Sequence, residues 1–331
     1  MTSIWRLLHL DYRFASLRYG TRGIQVNAQF RLSLWLMGMT LACLCFGFQS
    51  QDNRQPSPPI IKVQVETVFV NVSVTDPYGR YVTGLEKENF KVYEDQVEQE
   101  ILHFSQKAAP ISVGLIFDVS RSMADNFNIR KAKNAIIGFL KDGAEEDEYF
   151  LVTFNTRVTM VQTFTRSSQS VQNEVAVQKP GGSTALYDAV YRGLDYVTRG
   201  TNEKKAIILI TDGEDNSSRY SPSEVREFAK ELSVQVYAIG MEGLLGYGNA
   251  VIQNIISLTG GRSFRPTNFN DLDYYIGLIH AELRSQYVLG YSPSRQVHDG
   301  KWRRIRLKLD APAGMPKLAI NAREGYYAPK D

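Results

Sequence analysis

Val113-Gly114-Leu115-Ile116-Phe117-Asp118-Val119-Ser120-Arg121-Ser122 is the most informative segment of the chain. Its apolar part, followed by loop-forming residues, predicts a buried strand. The strand delivers the carboxylate of Asp118 and the hydroxyls of Ser120 and Ser122 to the loop at its C-terminal end, where open α/β sheets bind ligands. Carboxylate and hydroxyl oxygens suit a hard cation such as Mg²⁺ rather than zinc or copper. Taken alone, the string is equally compatible with ordinary turn and N-cap residues.

Two further segments place oxygen atoms at the ends of predicted elements. Gly181-Gly182-Ser183-Thr184-Ala185-Leu186-Tyr187-Asp188-Ala189 opens a helical pattern, and Thr184 stands near its start. Lys205-Ala206-Ile207-Ile208-Leu209-Ile210-Thr211-Asp212 predicts a second buried strand, which ends in Asp212. The sequence therefore predicts oxygen ligands at three separate element ends.

The order Asp118-x-Ser120-x-Ser122, then Thr184, then Asp212 resembles the metal-ion-dependent adhesion site of the von Willebrand factor type A domain. The resemblance implies that Ser120 and Ser122 bind a cation directly through their hydroxyls. It implies that Thr184 binds directly or through water. It also implies that Asp118 and Asp212 act mostly through water or as hydrogen-bond acceptors for groups that bind the cation. The expected cation is Mg²⁺, with Ca²⁺ or Mn²⁺ as alternatives, and the open coordination position is expected to take an acidic side chain from a partner protein.

Other acidic residues near these segments are not assigned as ligands. Glu214 and Asp215 either tune the field at the site or are solvated loop residues, and Asp188 either supports the ligands or favours the helix N-terminus electrostatically. By analogy with related domains, in which the last helix can move with the metal site, conformational switching of the helix predicted at residues 269–284 stays open.

The remaining pattern predicts an α/β domain inserted into a β-sandwich. Strands alternate with helices over residues 108–286, which predicts a doubly wound, mostly parallel sheet. Residues 60–107 and 287–331 are rich in strand patterns, but neither segment has enough strands to close a sandwich alone. We therefore expect the two segments to pair with each other.

Two strings at the ends of this region are similar to a bacterial family of exported proteins related to the von Willebrand type A domain. They are Val82-Thr83-Gly84-Leu85, followed by Phe90, and Gly325-Tyr326-Tyr327-Ala328-Pro329. The resemblance covers roughly residues 60–330 and implies membership, not the identity of a partner.

The N-terminal part predicts export. Residues 1–31 are basic, residues 32–48 are apolar, and residues 49–59 form a polar, proline-rich linker. A helix of the apolar segment would span about 26 Å, which is marginal for a hydrocarbon core of roughly 30 Å, so both a signal peptide and an uncleaved signal anchor stay open. The arginines before the apolar segment predict a cytoplasmic N-terminus. The residues after that segment are then expected to be periplasmic, secreted or membrane-anchored. Membrane contact is expected only through residues 32–48.

Composition excludes several classes of function. The chain has 38 basic and 35 acidic residues, which gives a net charge of +3. Residues 1–50 contain five of the basic residues and one of the acids. The remainder is therefore nearly neutral and does not suggest nucleic-acid binding. The only cysteines, Cys43 and Cys45, lie in the apolar segment, which leaves no disulfide framework for the folded part. The four histidines are scattered without zinc spacing.

These observations favour a non-enzymatic, metal-dependent protein-binding module of the bacterial cell envelope or exterior. One alternative is a structural envelope component in which the cation only stabilises three loops. A second alternative is a metal-assisted hydrolase that uses Asp118, Asp212 and Glu214, although no general base is strongly placed and no second metal cluster is evident. We assign no catalytic residue.

Overall fold

The computed structural model describes residues 67–124, 126–212, 214–240, 250–266 and 268–331. The predicted basic region, the apolar segment 32–48 and the linker 49–59 lie outside the described residues. Among the residues that are described, no helix is both long and apolar enough to cross a membrane.

Among the described residues, strands and helices alternate over the middle of the chain, and the parts before and after it contain strands and one short 3₁₀ helix, Lys87–Asn89. In chain order, the strands of the described residues are β1 (Val68–Thr75), β2 (Phe90–Glu94), β3 (Val97–Gln99), β4 (Ile101–Ser105), β5 (Ile111–Asp118), β6 (Glu148–Phe154), β7 (Val158–Thr165), β8 (Lys204–Thr211), β9 (Gln235–Gly240), β10 (Ser263–Phe264), β11 (Tyr287–Tyr291), β12 (Trp302–Leu309), β13 (Ala319–Ala322) and β14 (Gly325–Tyr327). The α-helices are α1 (Asn126–Lys141), α2 (Ser168–Val177), α3 (Leu186–Val197), α4 (Pro222–Glu231), α5 (Ala250–Thr259) and α6 (Leu272–Ser285).

A six-stranded sheet forms the centre of the α/β part, in the order β10-β9-β8-β5-β6-β7. All neighbours pair in parallel except β6 and β7, which form an antiparallel hairpin. Every residue of β5, β6 and β9 is buried, because helices cover both faces of a parallel sheet and each face of the strand must then be apolar. The predicted doubly wound, mostly parallel sheet is confirmed.

Helices pack on both faces of this sheet. On one face the core contains Ile136 of α1 and Ile279 of α6. On the other face the core contains Leu194 of α3, Val225 of α4 and Ile255 of α5. Gly114 of β5 permits close packing within the sheet, since a Cβ atom there would lie 2.2 Å from the Phe150 ring.

The chain ends form two four-stranded antiparallel sheets, in the orders β13-β1-β11-β4 and β14-β12-β2-β3. Strand β1 pairs with β11 and β13, and β2 pairs with β12, so each sheet joins the segment before the α/β part to the segment after it. The two sheets share a buried core that includes Val72, Phe90, Leu289 and Ile305. The predicted sandwich built from both chain ends is confirmed, whereas the domain boundaries stay predictions.

Two strands of the sandwich were not predicted. The residues between β2 and β3 are Asp95 and Gln96, both with positive φ (46° and 75°), which makes a two-residue hairpin turn without the glycine that usually marks one. Strand β14 has only three residues, which is too short for an alternating pattern to indicate a strand. The predicted last helix also differs at its start, because residues 269–271 form a 3₁₀ turn and α6 begins at Leu272.

A buried carboxylate joins the sandwich to the α/β part. Glu282 of α6 is 0 % exposed and accepts hydrogen bonds from the Ser73 hydroxyl of β1 (2.7 Å) and the Tyr81 hydroxyl (2.9 Å). The Arg262 guanidinium lies 3.7 Å from the same carboxylate. Burial raises the pKa of Glu282, while the hydrogen bond from Ser73 and the charge of Arg262 oppose that rise.

Candidate metal centre

The predicted acidic ligands stand at the same edge of the central sheet. Strand β5 ends at Asp118, and Asp212 follows directly after β8. The two strands are neighbours in parallel register, with Phe117 opposite Ile210. Because the carboxyl ends of parallel strands share one edge of a sheet, both carboxylates lie where such folds bind ligands.

A chain of hydrogen bonds connects four of the five predicted residues. The Ser120 amide donates to Asp118 Oδ1 over 2.7 Å. The Ser120 and Ser122 hydroxyls lie 3.0 Å apart, and the Ser122 hydroxyl donates to Asp212 Oδ1 over 2.7 Å. The fold therefore gathers these polar groups from two separate loops into one cluster.

Thr184, the fifth predicted residue, is buried and held against both loops through the backbone. Its amide donates to Asn216 Oδ1 over 2.9 Å, and its carbonyl accepts from the Asn216 amide over 3.0 Å. On the other side, the Arg121 amide donates to the Gly182 carbonyl over 3.0 Å. The segment that contains Thr184 thus lies between the loops that carry Ser120 and Asp212.

Gly182 has a specific requirement in this segment. Its φ of +87° lies in the left-handed region, and a Cβ atom there would stand 2.7 Å from the Thr156 hydroxyl. That hydroxyl accepts a hydrogen bond from the Ser183 amide over 2.9 Å. The glycine therefore permits the tight turn that leads into Thr184.

Asp188 supports the loops and is not part of the hydrogen-bonded cluster. Its carboxylate accepts from the backbone amides of Arg219 (2.8 Å) and Tyr220 (2.9 Å), and its own amide donates to the Ser218 hydroxyl over 3.0 Å. These contacts fasten the loop after Asp212 to the start of α3. The sequence analysis did not predict the hydrogen bonds of Asn216 and Ser218. Their only signal in the sequence is that they follow Thr211-Asp212-Gly213-Glu214-Asp215.

The two acidic residues of the cluster differ in burial, since Asp118 is buried and Asp212 is half-buried. Burial raises the pKa of Asp118, an effect that the Ser120 and Thr211 hydrogen bonds oppose and the nearby Asp212 reinforces. Burial also raises the pKa of Asp212, and the hydrogen bond from Ser122 opposes it. A buried and a half-buried carboxylate beside serine and threonine hydroxyls form an oxygen donor set, which fits a hard divalent cation.

The site differs from common metal centres in depending on hydroxyls. Within the described ranges, no group of three or more histidine, cysteine, aspartate or glutamate residues could hold a metal ion. A cation here would be bound through Ser120, Ser122 and Thr184 as much as through carboxylates.

The fold and this cluster define a class of protein. The family profile of the von Willebrand factor type A domain matches residues 112–277, half of the chain. The chain belongs to this family.

Three similar proteins illustrate the match. An uncharacterized protein of Borreliella burgdorferi is 25% identical over 152 residues, which cover 44% of this chain and 43% of that protein. Inter-alpha-trypsin inhibitor heavy chain H3 of Mesocricetus auratus is 24% identical over 153 residues, covering 42% of this chain and 17% of that protein. A solved von Willebrand factor type A structure from Catenulispora acidiphila is 11% identical, with a TM-score of 0.49, and the match covers 80% of this chain and 74% of that chain. The chain spans less than half the length of both curated relatives.

Proposed function

We propose that this protein binds an acidic residue of a partner protein through a divalent cation held by residues of the β5, β8 and α3 loops. The cation is Mg²⁺, with Ca²⁺ or Mn²⁺ as alternatives, and the residues that would hold it are Asp118, Ser120, Ser122, Thr184 and Asp212. The bound cation would supply positive charge that an incoming carboxylate neutralises.

The observation that carries this proposal is the hydrogen bond from Ser122 to Asp212 (2.7 Å), which closes the chain of polar groups that starts at Asp118. Ser122 is exposed and Asp212 is half-buried, so this end of the cluster is open to an approaching ligand, while Asp118 and Ser120 are buried beneath it. A cluster with buried residues on its inner side and accessible residues on its outer side suits the binding of a partner side chain.

The same geometry favours binding over a purely stabilising cation. The three loops are already joined by protein hydrogen bonds, namely those from Arg121 to Gly182, from Asn216 to Thr184 and from Arg219 to Asp188. A cation is therefore not needed to hold the loops together. We propose that its role is to recognise the partner.

The hydrolase alternative receives little support. It would require Glu214 as a general base, and Glu214 is an exposed loop residue. General bases are usually buried groups whose pKa is matched to the working pH. We propose that the chain is not an enzyme, and that it works outside the inner membrane because an arginine-rich segment precedes the apolar residues 32–48.

The test is a peptide-display selection on the full chain, purified in mild detergent, with Mg²⁺ in the selection buffer. We expect the selected peptides to contain an essential Asp or Glu, to bind with Mg²⁺ and not with EDTA, and to lose binding when that residue is changed to Gln or Asn. Asp212→Asn in the chain should abolish binding, because it removes one of the two carboxylates of the cluster.

Asp195→Asn is the matched control, since Asp195 is an acid on the exposed side of α3 that pairs with Arg192 (3.3 Å). It should bind the peptides as the wild type does. Peptides that bind equally in EDTA, or that keep their affinity for Asp212→Asn, would show that recognition does not pass through this site.

A further inference from the structure

Strand β12 carries a row of cations on the outer face of the sandwich. Arg304, Arg306 and Lys308 alternate with inward residues, and all three are exposed. Alternate residues of a strand lie about 6.8 Å apart on one face, so the row extends over about 13 Å. It presents three positive charges at a regular spacing.

These three cations have no ionic partner among the described residues. The acids at the margin of the face bind other groups than the three cationic side chains. Asp95 accepts from the Arg304 backbone amide (3.0 Å), Glu98 accepts from the Tyr93 hydroxyl (3.1 Å), and Asp310 pairs with Lys91 (3.0 Å).

Protection of a sheet edge accounts for only part of the row. Exposed lysines and arginines often prevent edge strands from pairing with other chains. Strand β12 pairs with β14 over residues 302–304 and with β2 over residues 305–309. Arg304 therefore has no edge to protect, whereas Arg306 and Lys308 lie where β12 pairs with β2 alone.

The face around the row is concave and contains aromatic rings. A groove with a volume of about 320 Å³ is lined by Tyr93, Asp95, Gln96, Arg304, Arg306 and Lys308. The Lys308 amine lies 4.9 Å from the centre of the Tyr93 ring. At the other end of the row, Trp302 packs edge-on against Tyr327 with ring centres 5.1 Å apart.

We infer that this groove binds an extended acidic segment of a protein partner, with acidic residues at every second position. An extended chain repeats its side chains on one face at the same spacing of about 6.8 Å as the cations of β12. Each carboxylate would then meet one cation, and arginine in particular binds carboxylates through two parallel hydrogen bonds. The site lies on the sandwich and is independent of the proposed metal centre.

The test measures fluorescence anisotropy of a labelled peptide with three Glu residues alternating with Ser, titrated with the full chain in EDTA, so that a cation site cannot contribute. We expect binding that weakens with salt, and at least about tenfold weaker binding by the variant R304Q/R306Q/K308Q, as expected when close charge pairs are lost. A peptide of the same composition with its three Glu residues adjacent should bind more weakly than the alternating peptide.

The variant R157Q/R166Q/K141Q is the matched control, because it removes the same charge from exposed positions of the α/β part. It should bind as the wild type does, and circular dichroism melting of both variants verifies that they fold. The inference is overturned if the β12 variant binds as tightly as the control variant, or if the adjacent-Glu peptide binds as well as the alternating one. It is also overturned if anionic lipid vesicles or a single-stranded oligonucleotide bind the wild type more tightly than the peptide.

Discussion

Lys204, the first residue of β8, has a buried amine. It lies at the opposite end of β8 from the candidate metal centre. It is 7 % exposed and donates to the Leu283 carbonyl near the end of α6. Burial, reinforced by the charge of Arg284, lowers its pKa to about 7, while Glu282 and Asp147 oppose the shift.

We predict that Lys204 makes the stability of the protein rise with pH above neutrality. The folded chain releases this proton near pH 7 and the unfolded chain near the ordinary lysine value of 10.5, so between them the unfolded state binds more protons. The free energy of unfolding should therefore increase from pH 7 to pH 9, relative to Lys204→Met, by up to about 1.4 kcal/mol per pH unit. Urea unfolding at several pH values measures this, and parallel curves for both proteins would contradict it.

Asp212 offers a second prediction at this scale. The charge of Asp212 raises the pKa of the buried Asp118 and so disfavours the charged form of Asp118. Removal of the Asp212 charge should therefore not destabilise the cation-free protein. In EDTA we expect the free energy of unfolding of Asp212→Asn to lie within about 0.5 kcal/mol of the wild-type value, or above it. The reason is that Asn can still accept the Ser122 hydrogen bond. A loss above about 1 kcal/mol in denaturant unfolding would indicate a structural role for this carboxylate.

At the scale of elements, the loop after β8 depends on one side chain of α3. Asp188 is buried and accepts two backbone amides of that loop. We predict that Asp188→Ala lowers the free energy of unfolding by about 1 to 3 kcal/mol, because two amides lose their acceptor. Denaturant unfolding measures the loss, and Asp195→Ala on the exposed side of the same helix should cost about 0.5 kcal/mol or less. Equal losses for the two variants would contradict this role.

The elements differ in how far the sequence predicts them. Strands β5 and β8 are continuous apolar runs, because helices cover both faces, and such runs are recognisable without a structure. Strand β3 is short and follows a turn of Asp95 and Gln96, whose left-handed conformation no glycine signals. The contacts of Asp188 were also beyond prediction, since its partners lie more than thirty residues away and meet it only in the folded loop.

The proximity of the predicted site residues follows from the sequence more directly than the contacts around them. Asp118, Ser120 and Ser122 are close in sequence, and the strand ahead of them fixes where they lie, so their proximity follows from local structure. Their link to Asp212 requires only that β5 and β8 be neighbours, which the alternating pattern favours. The backbone contacts of Thr184 with Asn216 depend on the exact path of two loops, which no local pattern specifies.

For the whole molecule, the sandwich and the α/β part are joined by the contacts of Glu282. Its carboxylate binds Ser73 and Tyr81 from the sandwich side of the chain and lies 3.4 Å from the Tyr237 hydroxyl of β9. We predict that Glu282→Ala lowers the free energy of unfolding by about 3 kcal/mol or more, because it leaves several buried polar groups without a partner. Denaturant unfolding followed by circular dichroism measures the loss. A loss below about 1 kcal/mol would mean that this network does little to join the two parts.

Thermal unfolding tests the divalent-cation site directly. It compares the full chain, wild type and Asp212→Asn, in EDTA and with Mg²⁺, Ca²⁺ or Mn²⁺. A cation present at a hundredfold excess over its dissociation constant should stabilise the wild type by about 2.7 kcal/mol, seen as a rise in Tm. We predict this rise for at least one of the three cations in the wild type and its absence in Asp212→Asn. No rise with any of them, or an equal rise in both proteins, would contradict a divalent-cation site at Asp118, Ser120, Ser122, Thr184 and Asp212.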